Sequence, residues 1–293
     1  MARRDGFLVV IATDGSRVAR AAVAAAVAFP WPASARAIGV VARGAVAPAG
    51  EWSPAVWEAI DRSLEQVAGE ARRVLRRRWP DAEVLVRDKP AVEAILAEAR
   101  GAQAVVVGSR GHGAIGRLLL GSVSRGVVRR ATCPTLVVKA RATRFRHFVV
   151  GIDGSANSRR AAAFLATLDA PPGARATLVA VVEPERLGSL GLMPAGVRAT
   201  LQRQMRDLDA ERLREARRLM AEAARPLERA GWRVRMVVRR GVPVTELVAA
   251  SAAARGDVLV VGARGVGGVE RLLLGSVAEG ALAQSRAPVL VVR

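Results

Sequence analysis

Two stretches of this chain have the residue types and spacing to hold an anion. Residues 108–124 read GSRGHGAIGRLLLGSVS, and residues 262–278 read GARGVGGVERLLLGSVA. In the first, Gly111 follows Gly108 after two intervening residues, and Gly121-Ser122 follow after nine more. Gly262, Gly265 and Gly275-Ser276 repeat those gaps 154 positions later. Glycine lets a backbone take positive φ and approach a ligand closely. Ser122 and Ser276 stand where a helix should begin, and serine is a favoured N-cap. The unpaired N–H groups of a first helical turn attract anions. The first glycines would line a nucleoside and its first phosphate, and the Gly-Ser pair would hold the outer phosphates. A helix terminus contributes only about 0.3–1 kcal/mol toward one exposed charge, whereas micromolar affinity requires about 8 kcal/mol. Base burial, ribose contacts and Mg2+ must therefore supply most of the binding.

An acid follows the first apolar run of each half: Asp14 in TDGS and Asp153 in IDGS. If those runs are strands of a parallel sheet, both carboxylates sit at the end where the glycine loops lie. There they can accept from a ribose hydroxyl or a base amino group. N-capping of the next helix is the alternative use, and the joint recurrence of acid and loop favours the ligand.

Other chemistry is thinly represented. Neither loop ends in the Gly-Lys-Ser/Thr of a P-loop. His112 lies in the first loop, but Val266 takes its place in the second, which argues against a required catalytic role. His147 reads as a surface residue of a linker. With two histidines and one cysteine, Cys133, the chain has little to offer a transition metal and no internal disulfide. Cys133 reads as buried at a strand start. Ser122 and Ser276 have no histidine base beside them and read as caps rather than nucleophiles. No catalytic residue and no metal ligand are assigned.

The elements that must position these groups also recur. FLVVIATDGS at 7–16 parallels FVVGIDGS at 148–155, AVVVGSRG at 104–111 parallels VLVVGARG at 258–265, and CPTLVVK at 133–139 parallels APVLVVR at 287–293. The order is the same in both halves, and 293 residues suit about two domains. KARATRFRH at 139–147 is the expected linker, which gives domains of 1–142 and 143–293. In the first half, strands are expected near 7–12, 36–42, 83–87, 103–108 and 134–138. These runs are valine-rich and lack polar alternation, as strands buried on both faces do. Between them apolar residues recur at three and four. The fold class is α/β: two tandem Rossmann-like domains, each a five-stranded, mainly parallel sheet with helices on both faces. The second half has about 15 extra residues around 185–213, read as a longer second helix or a lid-like loop before it. Whether Trp52 and Trp57 form a lid or belong to a helix core stays open.

With these residues in view, the sequence resembles the universal stress protein family over nearly its whole length. Both loops satisfy the family's pattern of Gly, two residues, Gly, nine residues, Gly, then Ser or Thr. The resemblance implies ATP, with Mg2+, in each domain. Asp14 and Asp153 would contact base or ribose. Gly108, Gly111, Gly121 and Ser122, with Gly262, Gly265, Gly275 and Ser276, would contact phosphate and ribose, joined by the backbone of Val123 and Val277. Val40 and Val181 match the positions that meet adenine, and Arg110 and Arg264 reach phosphate or face solvent. It further implies a regulator of stress with at most weak hydrolysis. The alternative is a nucleotide-dependent hydrolase or nucleotidyl transferase on the same fold. Many members dimerise through their last strands, so the two halves would form an intramolecular pseudo-dimer, with a further homodimer left open.

The formal net charge is +20, nearly all from arginine, the only lysines being Lys89 and Lys139. Such a field favours polyanions. Aromatic residues make up 3% with no tyrosine, so stacking platforms for single strands are scarce. A solvated arginine surface is preferred over nucleic-acid binding. No apolar run approaches the ~20 residues that span a bilayer, and the expected location is the cytoplasm.

Overall fold

Valine-rich runs become strands where they recur between amphipathic segments. The computed structural model describes residues 6–44, 53–111, 120–184, 195–265 and 274–293. The first half runs β1 (Leu8–Ala12), α1 (Arg17–Ala28), β2 (Arg36–Ala42), α2 (Pro54–Leu75), β3 (Glu83–Arg87), α3 (Ala91–Glu98), β4 (Ala104–Gly108), α4 (Ser122–Arg130) and β5 (Thr135–Val138). The second repeats the order as β6 (His147–Gly151), α5 (Ala156–Ala166), β7 (Arg175–Val182), α6 (Ala195–Arg229), β8 (Arg233–Arg240), α7 (Pro243–Ala253), β9 (Val258–Gly262), α8 (Ser276–Gln284) and β10 (Val289–Val292).

All ten strands join one sheet, ordered β3-β2-β1-β4-β5-β10-β9-β6-β7-β8. Pairing is parallel inside each half and antiparallel only between β5 and β10, where Leu136 stands opposite Leu290. These two leucines are equivalent in the repeat, so the pair marks a local twofold relation. Each of the two last strands closes an edge the other would leave open.

Helices α1, α2, α5 and α6 cover one face of the sheet, and α3, α4, α7 and α8 the other. On the first face the Phe29 ring lies tilted 5.1 Å from Phe145 and meets Phe148 edge-to-face at 5.6 Å, tying the end of α1 to the second half. The expected linker is thus partly core: Phe145 is buried. His147 is a correction. It is not a surface residue but the first residue of β6, buried, with Nε2 2.8 Å from Thr177 Oγ1 on β7. Its neighbouring strand supplies the polar partner that makes burial tolerable. Burial holds its pKa below the usual histidine value, helped by Arg175.

The extra length of the second half lies largely in α6. At 35 residues it would be about 52 Å long, and its early turns stand off the core, with Val197 and Leu208 half exposed. Residues 185–194 lie outside the described residues. Among the described residues, no helix is long and apolar enough to cross a membrane.

Candidate functional site

The turn after β1 is built to present a carboxylate. Gly15 takes φ +77°, which a side chain would resist. Asp14 Oδ1 accepts from Ser16 N at 2.9 Å, and Ser16, the N-cap of α1, accepts from Ala19 N at 3.2 Å. The acid therefore does not cap the helix; the serine two residues on does. The second half repeats the device: Gly154 has φ +79°, Asp153 Oδ1 accepts from Ser155 N at 2.9 Å, and Ser155 caps α5. In both halves Oδ2 lies over the second glycine of the loop. A Cβ on Gly111 would collide with Asp14 Oδ2, and one on Gly265 would lie 2.7 Å from Asp153 Oδ2.

The other glycines have separate reasons. A Cβ on Gly108 would come within 3.2 Å of Ala19 N, and one on Gly262 within 2.9 Å of the Asn157 carbonyl carbon. These two glycines let the strand end pack against the first turn of α1 or α5. Gly121 and Gly275 approach the loop's opening backbone, their N–H groups donating to Ser109 O and Ala263 O at 2.8 Å. They, not Ser122 and Ser276, are the N-caps of α4 and α8, with no side chain closing the cap. The serines are the first helical residues, so the expected serine caps are corrected. A glycine cap leaves first-turn amides without a competing side-chain oxygen, which favours an external anion.

In the first half these parts meet. A cleft of about 480 Å³ opens at the carboxyl ends of β1 and β4. Asp14, Val40, Gly108, Arg110 and Gly111 line it, as do Gly121, Ser122 and Val123 from the start of α4. Sequence reasoning missed its apolar walls, Ala12, Ala42, Ala91 and Ile95, and the cation Arg125. Small residues at strand ends leave room for a flat ring, a signal visible only once the strands are in register. Asp14 is the one carboxylate among this cleft's described lining, and no group of three His, Cys, Asp or Glu forms a metal cluster among the described residues. A Mg2+ here would rest mainly on phosphate oxygens and water, with Asp14 as its available protein ligand.

The second half keeps the Asp–Gly contact but changes the walls. Thr13 N donates to Val40 O, and Ile152 N to Val179 O, each at 2.9 Å. Val179 is therefore the counterpart of Val40, while Val181 corresponds to Ala42. The two-residue displacement in the sequence reading comes from matching the ends of runs of unequal length. Val181 and Asp153 line a cleft of about 950 Å³ against α6, which none of the described glycine-loop residues borders. Gly262, Arg264, Gly265, Gly275, Ser276 and Val277 hold the positions equivalent to the first loop. Register also puts Ile152 for Thr13, Ala278 for Ser124 and Glu279 for Arg125. The first turn of α8 thus carries an acid where that of α4 carries a base.

Behind the first loop, Lys139 Nζ donates to Ser285 O at 2.6 Å. Burial, and next the nearby Arg110, push its pKa down to about 8. Cys133 is buried as expected, and burial raises its thiol to about 11. His112 and Trp52 lie outside the described residues; Trp57 lies on α2, its ring 5.6 Å from the Arg43 guanidinium.

Comparison with known proteins is consistent across the chain. Residues 8–139 and 144–293 each match the Universal stress protein family. A universal stress protein of Mycobacterium tuberculosis is 35% identical over 205 residues, 66% of this chain and 62% of that protein. The chain thus spans less than two thirds of that relative's length. One from Mycolicibacterium smegmatis is 28% identical over 84% of this chain and 82% of its own. The crystal structure of a universal stress protein from Archaeoglobus fulgidus superposes with a TM-score of 0.66 at 19% identity, covering 99% of both chains, a likeness of fold.

Proposed function

The chain belongs to the universal stress protein family, and from that premise we propose that it is an ATP-binding regulator of the stress response. The observation that carries this reading is the first-half cleft. It gathers a carboxylate (Asp14), small apolar walls and the glycine-capped start of α4 around one space of about 480 Å³. Adenine would lie against Val40 and the alanines, ribose against Asp14, and the phosphates against Gly111, Gly121, Ser122 and Val123 with Arg110 at the rim. Mg2+ would accompany the phosphates. The second half would bind through Asp153, Gly262, Gly265, Gly275, Ser276 and Val277, but more weakly, because none of the described glycine-loop residues borders its wider cleft and Glu279 stands where the first half has the cation Arg125.

The domains would be 1–142 and 143–293, joined as an intramolecular pseudo-dimer through β5 and β10, in the cytoplasm. Hydrolysis would be weak at most: Asp14 is the one acid in the described cleft, and its Oδ1 is already engaged by Ser16. Binding of a fluorescent ATP analogue tests the reading. Asp14→Ala should weaken the tight site at least tenfold, and Asp153→Ala should affect only a weaker one. Unchanged affinity in a folded Asp14→Ala protein overturns it. Steady-state phosphate release at or above about 1 s⁻¹, an enzyme-like rate, would favour a hydrolase instead.

A further inference from the structure

The two halves of the sheet treat one strip of surface in opposite ways. At the start of β2 the first half sets Arg36 beside β3, with Glu83 opposite Ile38 and Asp81 two residues earlier. That is one base with two acids. The equivalent strip of the second half has Arg175 directly opposite Arg233, and Arg235 opposite Thr177. Both acids have become arginines, and the one acid on this row is Asp257, which lies beyond His147 and accepts from the backbone N–H groups of Arg146 and His147 at 2.8 Å. Where the first half has Gly101 at φ +77°, the second has Arg255 at φ +51°, the one non-glycine residue with positive φ among those described.

All four arginines are exposed, and among the described residues none pairs with a carboxylate. Helix α7 packs mainly over β7, with fewer contacts to β6 and β9, and leaves Arg175, Arg233 and Arg235 exposed. The arrangement costs stability twice. Like charges directly opposite on neighbouring strands repel, and a left-handed arginine is strained where glycine is free. Neither cost is demanded by the fold, because the first half avoids both. Side chains two apart on β8 lie about 6.6 Å apart along the strand, and strand neighbours about 4.8 Å apart across it, so Arg175, Arg233 and Arg235 form a compact group, which Arg255 flanks from the turn before β9, two strands from β7.

We propose that this shelf, formed by Arg175, Arg233, Arg235 and Arg255, docks the phosphodiester backbone of double-stranded nucleic acid. It lies at the opening end of its strands, away from the carboxyl ends where the nucleotide is read, and does not depend on that reading. Arginine suits phosphate because its planar fork donates two parallel hydrogen bonds. The shelf carries no aromatic ring, which separates it from single-strand binders that stack bases. Contacts of this kind position a duplex without reading its sequence.

Fluorescence anisotropy of a labelled random-sequence 20-base-pair duplex, measured against stepped salt, tests the proposal. Two charge-matched variants are compared: Arg→Gln at 175, 233, 235 and 255, and Arg→Gln at the exposed Arg73, Arg77, Arg100 and Arg130 of the first half. Each phosphate contact contributes about 0.9 to the slope of log K against log salt. The shelf variant should lose roughly 3 to 4 of that slope, and the other variant little. If the fourfold shelf variant does not fold, Arg233→Gln with Arg235→Gln on the edge strand should lose about 2. Equal losses in both variants would mean diffuse charge and overturn the assignment. So would no binding of the wild-type chain at 50 mM salt, or shelf-dependent binding to phosphatidylserine vesicles tighter than to the duplex.

Discussion

Lys139, just past β5 of the first half, donates from Nζ to the Ser285 carbonyl that ends α8 of the second, at 2.6 Å. Arg293, its counterpart past β10, returns the contact: Nη2 reaches Val128 O at 3.1 Å and Arg129 O at 2.5 Å, at the end of α4. Each half thus places a cation on the negative end of the other half's short helix. The opposite ends of those helices, α4 and α8, face the two glycine loops.

Lys139 gives a pH signature. Its pKa falls from an ordinary 10.5 to about 8, so between those values the unfolded chain binds a proton that the folded chain has released. Stability from this group therefore rises with pH between about 8 and 10.5. In urea unfolding across that range, Lys139→Met should lose this gain relative to wild type. Parallel pH profiles for the two proteins would refute it.

Gly111→Ala should separate binding from folding. The new methyl must displace Asp14 Oδ2 on an exposed turn. We expect nucleotide-analogue affinity to fall about tenfold, ~1.4 kcal/mol, with a melting temperature within a few degrees of wild type. The measurement is a binding titration beside a thermal melt.

Arg255→Gly should stabilise the chain. Relief of the left-handed arginine at φ +51° is worth about 1–2 kcal/mol, partly offset by the added freedom of the unfolded chain. A net gain of roughly 0.5–1 kcal/mol is expected from the denaturation midpoint.

Leu290→Ala should cost about 2–5 kcal/mol, as for other fully buried leucines. Because Leu290 faces Leu136 across the junction, the loss should lower protection of both β5 and β10 amides in hydrogen exchange. Loss confined to β10 would mean the halves open separately.

Much of this architecture could be read from local pattern. The valine runs marked all five first-half strands to within a residue or two, because strands buried on both faces leave an uninterrupted apolar signature. The Asp–Gly–Gly constellation was legible because each copy vouched for the other. What escaped depends on partners distant in sequence. His147 looked like linker because Thr177, which satisfies it, lies on another strand. Val181 matches Val40 in its place at the end of an apolar run, whereas the ladder selects Val179. Serine at 122 suggested a cap, yet the backbone turns one residue earlier, at Gly121. Lys139 and Arg293 gave no local hint at all, since their acceptors are carbonyls about 150 residues away.

The junction has a further consequence. Arg129 on α4 meets Glu279 on α8 at 2.7 Å, while the residue equivalent to Glu279 in the first half is Arg125. Two free copies of the first half, associating by the same geometry, would set Arg125 against Arg129 and repel. A symmetric pair of separate chains must keep its contact patch complementary to itself. Joined in one polypeptide, the copies escape that constraint and stay together at any dilution, so the facing surfaces of the two halves are free to differ.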